Sequence, residues 1–378
     1  MKVTIIQRVL PHYRIPLYQL IDKLLKTNGI EFQLIYGQEY PGTIPKTVDI
    51  SEKWAQKIDN RYINVLGKQL VWQPCLKYIK GSDLVIFEQA NFLLVNYWLL
   101  LKRKLGISTK LAFWGHGKNM QAISYQSFSE KLKKRMINQV DWWFAYTELT
   151  TGVIQQAGFP LEKITVLQNA VDTTSLKTAI SEISVPSVDE LRSEYYFSSH
   201  SIALYCGGMY ENKKLGFLIE SCLQIKQSIP EFQLLLIGDG PEQYKVEQAA
   251  KQYEWVHYLG PKFGVDRATY FKLADVFLMP GLLGLAILDS FVAELPLFTT
   301  DIPIHSPEIA YLNDGENGFM SSFSMDDYAK FVISYLLADG ETKNKIKAAC
   351  LASAEEYTLE NMANSFVGGI KQSLTEVH

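Results

Sequence analysis

A short apolar run followed by an amphipathic stretch recurs along this chain, lapses near residue 172, and begins again at Ile202. Apolar runs at 3–6, 30–35, 83–87, 111–114 and 142–145 read as strands. Residues 15–25 read as a helix with Leu17, Leu20, Ile21, Leu24 and Leu25 on its inner side, and residues 40–59 as an irregular excursion rich in Gly, Pro and polar groups. After Ile202, strands at 202–206, 232–237, 256–259, 276–279 and 297–300 alternate with helices at 215–227, 243–253, 266–273 and 286–293. Strands alternating with helices in this way build mostly parallel sheets covered on both faces. Two such series predict an α/β protein of two Rossmann-like, doubly wound domains. The expected divisions are 1–175 for the first domain, 176–200 for a linker and variable segment, 201–345 for the second domain, and 346–378 for C-terminal helices packing across both.

The 378 residues are too many for one such domain and suit two. With 47% apolar and 20% charged residues, both have ample core material. A formal net charge of -3 argues against a dedicated nucleic-acid binder. Cys75, Cys206, Cys222 and Cys350 are far apart and form no CxxC pair, which favours reduced, buried thiols over a zinc site. No apolar run reaches the ~18 residues of a membrane span, and Met1-Lys2 leads straight into the first strand without a signal-peptide core, so a cytoplasmic protein is expected.

Open α/β sheets bind ligands outside the carboxyl ends of their strands. The loops at 207–214, 238–241, 260–264 and 281–285 are therefore the places to search in the second domain. Pro280-Gly281-Leu282-Leu283-Gly284-Leu285 opens a helix, where free backbone N–H groups and the positive end of the dipole favour a diphosphate. Asp289, one turn on, is placed to accept bonds from ribose hydroxyls; the competing reading is a solvated first-turn acid. Lys213 and Lys214 follow the Gly207-Gly208 turn, where a lysine can neutralise the charge of a departing diphosphate. The alternative is two surface lysines at a helix start, which the dipole disfavours. Glu308 is placed either to fix sugar hydroxyls or to cap the next helix.

In the first domain, His12, Tyr13 and Arg14 follow one strand, and Trp114-Gly115-His116-Gly117-Lys118 follows another. Between glycines, His116 can approach a ligand closely, to bond a sugar hydroxyl or assist a proton transfer. A structural histidine is the competing reading. No acidic pair or DxD-like cluster presents itself as a Mg²⁺ site, so cation work is expected to fall to lysines, arginines and helix N-termini.

Several segments together resemble the retaining GT-B glycosyltransferases of family 4, also called group 1. They are Gln168-Asn169-Ala170-Val171-Asp172-Thr173 near the junction, Leu236-Ile237-Gly238-Asp239-Gly240-Pro241, Tyr258-Leu259-Gly260, Asp275-Val276-Phe277-Leu278-Met279-Pro280 opening the acidic motif, and Glu308 with Asp314-Gly315-Glu316-Asn317-Gly318-Phe319. The likeness runs over nearly the whole chain. It implies the GT-B arrangement, two Rossmann-like domains facing each other across a cleft, with the acceptor domain first and the nucleotide-sugar domain second. It implies a UDP-sugar donor, no tightly bound cofactor and no required metal. The donor contacts it implies are Gly208, Lys213, Lys214, Gly238, Gly260, Leu283, Gly284, Leu285 and Asp289. Substrate contacts are His12, Tyr13, Arg14, Gly117, Gly281 and Glu308, and His116, Lys213 and Asp289 take part in catalysis. Retention in such enzymes is helped by the donor phosphate acting on the acceptor proton, so no glycosidase-like carboxylate pair is needed.

The departures are specific. Gly281 stands where the family has the first glutamate of its acidic motif, and the shorter Asp289 replaces the second. Met209 stands where arginine is frequent; a lysine follows, with Lys213 in the better register and Lys214 the alternative. Either the donor sugar is held differently, which we favour, or the site is weakened. Rival readings are a nucleotide-sugar epimerase, a sugar phosphorylase, and a nucleotide-sugar-binding protein without turnover. A dehydrogenase is disfavoured because no GxGxxG follows the first strand.

Residues 101–140 are rich in lysine and arginine, with Glu130 their single acid. Phe128, Leu132, Met136, Val140 and Trp143 recur at helical spacing beside Lys131, Lys133, Lys134 and Arg135, and Tyr97, Trp98 and Leu99 precede Lys102-Arg103-Lys104. This pattern suits either an anionic membrane face or a crossover helix with a buried stripe and a basic rim. On the first reading the acceptor is a saccharide or a lipid-linked saccharide of surface polysaccharide or lipopolysaccharide synthesis.

Overall fold

The structure, a computed structural model, describes residues 1–43, 47–65, 67–106, 109–117, 136–194 and 201–376, apart from the side chains of 185 and 187. The chain divides into two compact units, Met1–Asp172 with Leu359–His378, and Thr173–Thr358.

The first unit is built on β1 (Lys2–Val9), β2 (Glu31–Gly37), β3 (Ala55–Lys57), β6 (Leu84–Glu88), β7 (Lys110–Gly115), β8 (Trp142–Ala145) and β9 (Ile164–Val166). They form a parallel sheet in the order β3-β2-β1-β6-β7-β8-β9. Leu84, Val85, Ile86 and Phe87 of β6 are all buried, because helices or loops cover both faces of a parallel sheet. Helix α1 (Ile15–Thr27) buries Leu17, Tyr18, Ile21 and Leu25, while Leu20 and Leu24 sit at the margin. Helix α2 (Leu94–Lys104) and α3 (Glu148–Gln156) supply crossovers. The excursion between β3 and β6 holds an antiparallel hairpin of β4 (Arg61–Val65) and β5 (Lys68–Trp72), which weak alternation hid from the sequence reading.

The second unit starts with α4 (Thr174–Glu182) and α5 (Val185–Glu194), inside the stretch expected to be a linker. Leu176, Ile183 and Val188 are buried, and the Lys272 ammonium donates to the carbonyls of Ile180 and Ile183, both at 2.8 Å. Those bonds satisfy backbone acceptors that the end of α4 would leave orphaned. Then come β10 (Ile202–Cys206), α6 (Leu215–Ser228), β11 (Gln233–Ile237), α7 (Gln243–Gln252), β12 (Val256–Gly260), α8 (Gly264–Leu273), β13 (Val276–Leu278), α9 (Ala286–Val292), β14 (Leu297–Thr300) and β15 (Gly318–Ser321). The sheet runs β12-β11-β10-β13-β14-β15, the 3-2-1-4-5-6 order of a dinucleotide-binding fold.

Of the C-terminal helices α10 (Met325–Leu336), α11 (Gly340–Glu356) and α12 (Leu359–Thr375), only α12 returns to the first unit. Phe366 stacks on Phe144 with centroids 4.6 Å apart and meets the Trp114 edge at 5.0 Å. Gly369 lets α12 approach β9: a Cβ there would lie 2.2 Å from Thr165 Oγ1. Cys350 keeps α11 with the second unit through an S–H donated to the Asn317 carbonyl, and Asn317 bonds Ser353. The C-terminal segment thus parts at Thr358, not at residue 346.

Candidate functional site

In the second unit the strand order reverses between β10 and β13, so the loops after these two strands flank a switch point, where such sheets bind ligands. The loops are packed backbone to backbone. Met209 N–H donates to Asp239 O at 2.6 Å, Gly238 N–H to Gly260 O at 3.1 Å, and Leu282 N–H to Asn212 O at 2.8 Å. Three glycines make this possible. Gly238 has φ 135° and a Cβ there would lie 2.0 Å from Gly207 O. A Cβ on Gly208 would lie 2.5 Å from the Tyr210 ring, and one on Gly281 2.3 Å from Lys213 C. Gly260, with φ 67°, has open space at that position.

Lys213 and Lys214 part company here. Lys214 has φ 57° and forms the N-cap of α6. Lys213 reaches back beneath the loop after β13, where its ammonium donates to Leu282 O at 2.6 Å and lies 3.7 Å from Met279 Sδ. Burial pushes its pKa down from 10.5 to about 8. Among the described residues no ion pair to a carboxylate compensates the amine, and burying a charge without such a partner is costly.

The helix-opening loop is used in two ways. Leu283 N–H, expected to face a diphosphate, is donated to His305 Nδ1 at 3.0 Å instead, and Ser306 N–H returns a bond to Leu283 O. Since Nδ1 accepts, His305 Nε2 carries the proton, which goes to Thr300 O at 2.7 Å. Burial lowers the pKa of this imidazole, in keeping with a neutral ring. Gly284 and Leu285 lie half-buried at the start of α9, where a helix has no internal partners for its N–H groups. Glu308 is buried in the 3-10 turn Pro307–Tyr311 that follows.

Asp289 is not a free first-turn acid. Its Oδ2 is ion-paired with Arg267 of α8, beside Cys206 at the end of β10. Burial raises its pKa and Arg267 opposes the rise. A carboxylate has acceptor sites on both oxygens, so one pair does not exhaust it. Arg267 lies inside α8, and His305 lies in the loop after β14 without a recognisable motif around it, so neither stood out in the sequence.

In the first unit, the turn His12–Arg14 follows β1, and His116 and Gly117 follow β7 on the same sheet edge. His12 and Tyr13 are exposed, with rings 5.9 Å apart in an edge contact. His116 is exposed and its ring lies 4.3 Å from that of Tyr146. Gly117 has φ 68° and packs against Val153 and Ile154. Arg14 differs from expectation. It is buried, donating to Asn169 Oδ1 at 2.6 Å and Ala170 O at 3.2 Å, and its guanidinium covers Trp114. That network ties Arg14 to the 169–170 segment. Glu88 ends β6, beside β1, and accepts Arg8 N–H at 2.9 Å; burial raises its pKa. Only its place at the end of a strand could have singled it out.

Among the described residues no group of three His, Cys, Asp or Glu could hold a metal ion, and no helix is long and apolar enough to cross a membrane. Met136, Val140 and Trp143 are buried, but Trp143 lies on β8 and Val140 follows a short 3-10 turn, so these three do not share one helix face; Lys118, Phe128, Glu130, Lys131, Leu132, Lys133, Lys134 and Arg135 lie outside the described residues.

Comparison with solved structures settles the architecture. Alr3699/HepE of Anabaena, solved in complex with UDP, superposes with a TM-score of 0.68 at 14% identity, covering 98% of this chain and 99% of that one. The fold is GT-B. Within this GT-B chain, residues 200–338 match the family Glycosyl transferases group 1, which places the family's signature on the unit that carries Lys213 and Asp289. The chain is 26% identical over 123 residues to alpha-monoglucosyldiacylglycerol synthase of Acholeplasma laidlawii, covering 31% of this chain and 30% of that protein. It is 29% identical over 175 residues to the putative glycosyltransferase EpsD of Bacillus subtilis, covering 44% and 45%. The chain thus spans less than half the length of these two relatives.

Proposed function

We propose that this protein is a retaining glycosyltransferase that moves a sugar from a UDP-sugar to a saccharide or lipid-linked saccharide of surface polysaccharide or lipopolysaccharide synthesis. One observation carries the reading: the desolvated amine of Lys213 lies beneath the loop after β13, at the switch point of a 3-2-1-4-5-6 sheet. A cation there neutralises a diphosphate as its bond to the sugar C1 breaks. Asp289 accepts from ribose hydroxyls while Arg267 fixes its rotamer. The acceptor hydroxyl bonds to C1 on the face the diphosphate leaves, and its proton passes to the departing phosphate oxygen. His116, His12 and Tyr13 then serve the acceptor's hydroxyls from the first unit. The likeness to HepE, solved with UDP-glucose, and to the alpha-monoglucosyldiacylglycerol synthase supports a UDP-sugar and a lipid-borne acceptor.

A second reading, nucleotide-sugar binding without turnover, draws on Gly281, where the backbone of Asn212 and Lys213 leaves no room for a side chain. Thermal shift against UDP-, GDP- and other nucleotide sugars, with nucleotide release as the readout of turnover, tests both. Preference for one UDP-sugar with slow hydrolysis supports the transferase. Binding that never yields product, even with lipid-linked acceptors supplied, supports the second reading, and no binding to any nucleotide sugar rejects both.

A further inference from the structure

A pocket of about 230 Å³ opens at the other end of the first unit's sheet. Its walls include Leu76, Ile79, Val85, Trp98 and Leu111. Val85 and Leu111 are second residues of β6 and β7, so the pocket lies at the amino ends of these strands, away from His12 and His116. Pockets that enclose a drug-sized ligand run to roughly 300–1,000 Å³; this one has room only for the end of such a molecule. What waits outside is cationic. Lys80 and Lys102 line the pocket, and Lys102 lies over the Trp98 ring at 3.8 Å. Arg103 also lines it but is committed to both carboxylate oxygens of Asp141, one of which also accepts Leu111 N–H. Asp83 accepts Lys2 N–H. Among the described residues neither Lys80 nor Lys102 has a carboxylate partner. Beside them Leu101 is 56% exposed and Leu105 75%, at the same end of α2.

We propose that this pocket takes an acyl-chain end of an anionic phospholipid in a bilayer, with the lipid phosphate at Lys80 and Lys102. Apolar walls below, two unpaired ammonium groups at the rim and two bared leucines alongside match the order of chain, headgroup and interface across a leaflet. A soluble fatty acid would fill the pocket but leave Leu101 and Leu105 in water.

The test is co-sedimentation of the full chain with phosphatidylcholine vesicles, with and without phosphatidylglycerol, at ~0.1 M salt, where surface charge is felt over about 10 Å. The wild type is expected to bind only the phosphatidylglycerol vesicles. Each lysine near an anionic surface contributes about fivefold, so Lys80→Glu with Lys102→Glu should lower partitioning about thirtyfold or more. Leu76→Trp, which fills the pocket without changing charge, should lower it several-fold with circular dichroism unchanged; Ile79→Phe replaces it if Leu76→Trp unfolds. Equal binding to both vesicle types overturns the proposal. So does a pocket-filling variant that partitions like the wild type, which would mark a basic surface and no chain site. No nucleotide sugar enters the experiment, so its outcome is independent of the transfer reaction proposed above.

Discussion

Replacing Lys213 by methionine should make the protein more stable at neutral pH while removing its affinity for UDP. The folded-state pKa of about 8, against an ordinary 10.5, means that the unfolded chain holds the proton more tightly. At pH 7 the difference of about 2.5 units corresponds to a penalty of about 3.4 kcal/mol for keeping this amine charged inside the fold. Methionine lacks the hydrogen bond to Leu282 O, worth about 1 kcal/mol. The net gain at pH 7 should therefore be about 2 kcal/mol. The sign with pH follows. Between the folded value near 8 and the unfolded value of 10.5 the native wild type has released a proton that the unfolded chain retains, so wild-type stability rises with pH across that window. At pH 10 the penalty falls below about 1 kcal/mol and the variant's advantage should vanish. Urea unfolding of both proteins at pH 7 and pH 10 gives the four free energies required. A variant less stable than the wild type by the same amount at both pH values would refute the reasoning, because Lys213 would then be a neutral-cost structural donor and no desolvated cation.

On the proposed role of this amine, UDP affinity should be flat below about pH 8 and fall up to about tenfold per unit above it, with calorimetry recording proton uptake near pH 8.5. A flat profile to pH 10 would detach Lys213 from the diphosphate. Gly281→Ala places a Cβ 2.3 Å from Lys213 C, so backbone must move; about 2 kcal/mol or more should be lost, together with UDP affinity, in paired denaturation and titration experiments. Glu294 is exposed and has φ 56°, a conformation that costs a side-chain-bearing residue about 1 kcal/mol, so Glu294→Gly should raise the unfolding midpoint without touching binding. An unchanged or lower midpoint would mean that the side chain compensates its own backbone strain.

Much of the architecture was legible because it is local. The runs at 202–206 and 232–237 declare themselves as strands through consecutive apolar residues, and the structure has β10 and β11 there. The helices at 174–182 and 185–194 were not legible for the same reason. The first of them is held by a partner far along the chain: Lys272 supplies the donors for Ile180 and Ile183. The hairpin of β4 and β5 was missed because Ile63 and Val65 are exposed and Val71 is its one buried residue, too little for a buried face to show as alternation. The site divides along the same line. Loop positions such as Gly208, Gly238 and Gly281 follow from strand ends and glycines, whereas the pairing of Leu283 N–H with His305 joins residues of different loops and leaves no trace in either.

Arg14 and Asp289 sharpen the point. Both are charged residues at element starts beside strand ends, and sequence reasoning treated them alike as ligand contacts. The structure gives Arg14 three neutral partners, Asn169 Oδ1, Ala170 O and Met362 Sδ, which occupy its N–H donors within its own unit without neutralising its charge. Asp289 receives one cation, Arg267, on one oxygen, and keeps a second acceptor. The number and kind of partners around each charge are set by tertiary structure alone. Gly281 obeys the same logic from the opposite direction. As a departure from the family's acidic motif it reads as the loss of a carboxylate. In the fold, the missing side chain is what allows the Asn212–Lys213 backbone to close on the loop after β13 and deliver the Lys213 amine beneath it. The cation's placement and the absent carboxylate are therefore one structural choice, and restoring glutamate at position 281 should displace Lys213 instead of simply adding an acid to the site.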